Sequence, residues 1–98
     1  MEQIQLTDKI FTQCKGMNNL IGYFRCKVSG WLTLDGILVF QKNGVLEFRT
    51  PAKKLKSGQL VPYYQIRDRE AQKQILDSIK EEIQKVEQER FKNVAKEN

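Results

Sequence analysis

Gly36-Ile37-Leu38-Val39-Phe40-Gln41-Lys42-Asn43-Gly44-Val45-Leu46-Glu47-Phe48-Arg49-Thr50 is the stretch on which the fold turns. Gly36 to Phe40 is a short continuous apolar run that suits a central strand. It ends at Lys42-Asn43-Gly44, and Asn-Gly between apolar runs signals a two-residue hairpin, because both turn positions need φ > 0. Val45 to Thr50 then reads as the returning strand, with Leu46 and Phe48 on one face and Glu47 and Arg49 on the other. Pro51 closes it by removing a backbone donor.

Upstream, Leu20, Gly22, Phe24, Cys26 and Val28 alternate with Tyr23, Arg25 and Lys27, which predicts a half-buried strand with a basic outer face. A first strand is predicted from Ile4 and Leu6 through Ile10 and Phe11. Downstream comes a basic loop, Lys53-Lys54-Leu55-Lys56-Ser57-Gly58, and then Leu60 to Ile66 as an edge strand, since Pro62 is awkward in a central one. Ile75, Leu76, Ile79, Ile83 and Val86 then form one stripe of a helix running from about Arg69 to about Phe91, with Asp68 as its N-cap and Glu81–Lys85 as a supporting i,i+4 pair. Asn93 to Asn98 reads as a frayed tail beyond a single domain over residues 1–92. The expected fold is α+β: a five-stranded, mainly antiparallel sheet with one long C-terminal helix.

The chain has 98 residues, so its core is small and self-association is a natural source of added stability. No long apolar run and no signal-peptide pattern occurs, which reads as a cytosolic protein with no membrane contact. Cys14 and Cys26, separated by eleven residues with no CxxC, read as free thiols and not as a metal pair. There is no histidine, the commonest general base near neutral pH, and no phosphate-cradling or nucleophile-elbow motif. The reading is therefore of a non-enzyme without cofactor, metal or small-molecule substrate.

Charge is the sharper signal. Residues 1–67 hold ten basic and four acidic residues (net +6), whereas residues 68–98 hold seven basic and eight acidic (net −1). Arg49, Lys53, Lys54 and Lys56 cluster in eight residues, a pattern suited to phosphate because each contact releases condensed counterions. The same lysines would also serve simply to solvate a hairpin tip. Arg67, Arg69 and Lys73 crowd the helix start against its dipole, which suggests an anion there, held jointly with the helix N-terminus. Tyr23, Tyr63 and Tyr64 adjoin arginines and are candidates for stacking on bases, with one of each neighbouring Tyr pair expected in the core. Trp31 reads as core or dimer interface, with a stacking platform as the alternative.

The order Trp31-Leu32-Thr33-Leu34-Asp35-Gly36-Ile37-Leu38-Val39, Asn43-Gly44-Val45-Leu46-Glu47-Phe48, Pro51-Ala52-Lys53-Lys54, Ser57-Gly58 and Tyr64-Gln65-Ile66 before an amphipathic helix resembles the septation protein SpoVG family (stage V sporulation protein G-like) over roughly residues 20–90. Ala52 and Lys54 stand where that family has Ser and Arg, Ser57 where it has Asp, and Tyr64-Gln65 where it has His-Pro. The resemblance implies a small bacterial homodimer acting as a DNA- or RNA-binding regulator. Lys53 and Lys54 match the family's basic loop, and Arg67 and Arg69 fall where its last strand passes into the helix. The alternative is a dimeric protein–protein interaction module in which charge serves solubility.

Overall fold

A computed structural model describes residues 4–96. Strands β1 (Leu6–Gln13), β2 (Leu20–Val28), β3 (Leu32–Lys42) and β4 (Val45–Arg49) form an antiparallel sheet in chain order, and α1 (Arg69–Lys96) packs against one face. β5 (Ala52–Lys54) and β6 (Leu60–Pro62) pair only with each other. The α+β class with a single C-terminal helix holds, but the sheet has four strands and a separate two-stranded ribbon takes the place of the expected fifth. The physical reason lies at Pro51. Its ring sits over Gly36, 3.7 Å from where a Cβ on that glycine would lie, and its carbonyl accepts from the Tyr63 amide at 2.9 Å. The chain therefore leaves β4 and hydrogen-bonds to its own return. Lys53 and Lys54 are strand residues, not loop residues, and the segment from Tyr63 to Ile66 is not part of a strand.

The Asn43-Gly44 turn is as the sequence predicts, with φ of 53° and 79° and Lys42 opposite Val45. Elsewhere, three bulges decide which side chains face the helix. Asp8, at φ 49°, lets β1 gain a residue between Thr7 and Ile10, so Lys9 and Phe11 turn inward and Ile10 is left exposed. Asp35 and Gly36 together oppose Arg25, with Gly36 at φ 72°, so Leu34 and Ile37 both face the core. The register also slips between Leu20 and Gly22. Leu20 pairs with outward Phe40, leaving the predicted even-numbered face to start at Gly22.

Phe24, Cys26, Leu34, Ile37 and Val39 meet Ile75 and Ile79 in the core, with Phe11, Leu46, Phe48, Tyr64, Ile66 and Ile83 packed around them. Fully burying an aliphatic or Phe side chain contributes about 1.5–3 kcal/mol, so this stripe holds the helix on the sheet. The helix extends to Lys96, past the expected end near Phe91 and into the expected tail; Glu97 and Asn98 lie outside the described residues. Asp68 caps it: its carboxylate accepts from the Glu70 amide at 3.2 Å and its carbonyl from the Gln72 amide at 2.9 Å. Lys85 pairs with Glu82 at 2.9 Å instead of Glu81, which reaches Lys9 on β1 at 3.6 Å. No described helix is long and apolar enough to cross a membrane.

Candidate nucleic-acid interface

β4 is the last strand of the sheet, and among the described residues its outer edge pairs with nothing. In a two-residue hairpin the residues flanking the turn are hydrogen-bonded, so alternate pairs leave the amides and carbonyls of Leu46 and Phe48 pointing away from β3. Between that edge and the first turns of α1 lies a cleft of about 870 Å³. Leu46, Phe48, Ile66 and Leu76 line its apolar parts, and Arg49, Arg67, Arg69 and Lys73 line it with charge; Glu47 is the single acid among them.

Two of the four cations are held by side-chain contacts. Arg49 ends β4 with its guanidinium carbon 5.0 Å from the Phe40 ring centroid, a cation–π contact that holds it at the rim. Arg67 Nε donates to Gln65 Oε1 at 3.0 Å. Arg69 and Lys73 stand four residues apart on α1 and so share a helix face. Gln72 Nε2 donates to the Ile66 carbonyl at 2.6 Å, which ties the helix start to the segment bearing Arg67. Asp68 accepts from the Glu70 amide and places its own negative charge at the helix start, so an anion here is met chiefly by the cationic side chains.

The structure thus gathers four of the seven predicted cations and leaves three apart. Lys53 and Lys54 lie on β5 and Lys56 in the turn beyond it, all exposed on the ribbon. Among the described residues none of the seven takes part in an ion pair. Trp31 is 78% exposed in the β2–β3 turn, so the expectation of a core position fails. Tyr63 is exposed on the ribbon. Its neighbour Tyr64 packs against the core and donates its hydroxyl to the Asp35 carbonyl at 2.9 Å. Burial, reinforced by Cys26 and Asp35, pushes the Tyr64 phenol up to about 12. Both cysteines are free, and burial pushes the Cys26 thiol up, against a smaller opposing effect of Lys9.

Sequence reading missed Lys42 and Phe40 as surface groups. With Tyr23, Arg25 and Arg49 they lie on the sheet face opposite α1. The available signal was the Asn-Gly register, which puts Lys42, Phe40 and Leu38 on the same face as Glu47 and Arg49. Compared with known proteins, the chain matches no family model, no curated protein and no solved structure.

Proposed function

We propose that this chain is a small nucleic-acid-binding regulatory protein, of the kind its resemblance to the septation protein SpoVG family implies, that acts in the bacterial cytoplasm and catalyses no reaction. The observation that carries the reading is the convergence of Arg49, Arg67, Arg69 and Lys73 on one cleft against a single acid. Cations held around a groove suit a phosphate backbone, whose neutralisation releases counterions and makes binding fall steeply with salt. Lys53, Lys54 and Lys56 extend the track along the ribbon. The test is a salt-titrated mobility shift or anisotropy assay. Replacing Lys53, Lys54 and Lys56, or separately Arg67, Arg69 and Lys73, by Ala weakens binding and lowers the salt slope by about two to three units, at slightly under one unit per phosphate contact. Unchanged affinity and slope in both triple variants overturn the reading.

The proposed working unit is a homodimer. A two-stranded ribbon is marginal alone, and β6 exposes Leu60 and Val61 to solvent with Tyr63 exposed just beyond it, so pairing with the ribbon of a second copy would complete it. Light scattering reads this directly, with Val61→Lys expected to yield monomer. The same exposed apolar groups favour the second reading, a docking module for another protein. Binding to nucleic acid that is absent or insensitive to salt would select that reading.

A further inference from the structure

The face of the sheet turned away from α1 carries an organised set of side chains. One cross-strand row runs Thr12, Tyr23, Leu38, Arg49 over all four strands. The next, towards the hairpin, runs Leu20, Phe40, Glu47, and Lys42 and Val45 follow it. Arg25 flanks the first row on its other side. Tyr23 is 42% exposed. The β1–β2 connection, with Asn18 and Asn19 both at positive φ, is tied down where the Asn19 carbonyl accepts from the Gln41 amide at 2.9 Å. Between this connection and the β3–β4 hairpin lies a trough of about 700 Å³ lined by Phe40, Lys42, Glu47 and Arg49.

We propose that this open face is a stacking platform for single-stranded nucleic acid, with Tyr23 taking a base, the Phe40 ring under Arg49 forming the floor beside it, and Arg25, Lys42 and Arg49 taking phosphates. The inference rests on the nucleic-acid reading above and deepens it by naming the strandedness of the ligand. Aromatic rings on an open sheet take unstacked bases, which a duplex keeps inside. Tyr23 lies opposite Leu38, so Phe40, two residues further along β3, is its diagonal neighbour at about 7–8 Å, which sets the Arg49 cation held over Phe40 beside a base on Tyr23. Arg49 belongs to both the trough and the cleft, so a strand leaving the platform continues onto Arg67, Arg69 and Lys73.

Charge selects the occupant. Around the two rings stand Arg25, Lys42 and Arg49 against Glu47 and Asp35, the latter at the bulge opposite Arg25, while Asp8 is paired with Lys27 at 3.2 Å. The excess of cations over acids around Tyr23 attracts a polyanion.

The test compares a short oligothymidine, an oligouridine and a duplex of equal length by fluorescence anisotropy at several salt concentrations. The wild-type chain is expected to prefer the single strands. Tyr23→Ala loses on the order of tenfold in single-strand affinity with the salt slope retained, as the loss of one base stack without a phosphate contact requires. Tyr23→Phe restores it. Ultraviolet crosslinking of an iodouridine-substituted strand to the wild-type chain supplies a readout independent of any variant, with crosslinked peptides expected at Tyr23. Wild-type affinity in Tyr23→Ala, or crosslinks confined to the cleft, overturns the platform and leaves the cleft reading standing. A change of oligomeric state in Tyr23→Ala also overturns it, by assigning the face to a second copy. No binding of any oligonucleotide removes both.

Discussion

The two faces of one sheet use the same strands for opposite ends. Towards α1, Phe24, Cys26, Ile37 and Val39 are sealed under Ile75 and Ile79, and the inward cation Lys9 reaches past them to Glu81. On the other side Tyr23, Arg25, Lys42 and Arg49 stand in solvent among Leu38, Phe40 and Val45. Alternation alone does not make this division. The bulges at Asp8 and at Asp35-Gly36 each switch the inward set from even to odd numbers, so the division survives strands whose raw pattern is irregular. A sheet face that stays open, aromatic and cationic beside a fully covered one is therefore a property of register as much as of composition.

Substitutions matched across the sheet test that contrast. The largest effect is expected for Ile79→Ala on the covered side, where the emptied site costs about 2–5 kcal/mol and lowers the denaturation midpoint accordingly. Gly22→Ala follows at about 1–3 kcal/mol of overpacking, because its Cβ would lie 2.4 Å from the Thr12 carbonyl oxygen and 2.7 Å from the Phe11 ring, where backbone cannot yield. Both are read by urea titration.

Tyr64→Phe tests the bulge that separates the faces. Losing its hydrogen bond to Asp35 costs about 0.5–1.5 kcal/mol. It also changes the alkaline limb of the stability curve. The unfolded phenol ionises near 10, while the folded one keeps its proton to about 12, so the native state is favoured in full below pH 10 and that advantage is lost as pH rises towards 12. Thermal melts in this window fall more steeply for the wild type than for the variant. The smallest stability effect is at Arg25→Ala on the open side, within about 0.5 kcal/mol, even as single-strand affinity drops; an effect as large as that of Gly22→Ala would break the contrast.

The helix, its Asp68 cap and the Asn43-Gly44 hairpin were legible because each rests on local chemistry: a 3.6-residue stripe, a side-chain acceptor, two positions of positive φ. The face of β3 was not legible. Ile37 to Phe40 is continuously apolar, so it offers no alternation from which to see that Leu38 and Phe40 look outward. The Asp8 bulge was hidden because a left-handed aspartate has no mandatory sequence mark, and so Ile10 and Lys9 exchanged their expected sides. At the site, both basic clusters were visible as clusters. Their division was not, since the convergence of Arg49 with Arg67, Arg69 and Lys73 depends on the turn at Pro51 that sends Lys53, Lys54 and Lys56 onto the ribbon.

The strand order of the main sheet is the order of synthesis, each strand pairing with its neighbour in the chain. Such a layout keeps loop closures short, and low contact order speeds folding among proteins of similar stability. The β3–β4 hairpin, closed by its two-residue turn, belongs to the class of event that completes in about 1–10 μs. The sheet can therefore zip outward from Asn43-Gly44 towards β1, and the closing step is the return of α1 across the finished strands. Until the helix docks, both faces are open, and the pairing of Lys9 with Glu81 joins the last strand to zip on to the last element to arrive.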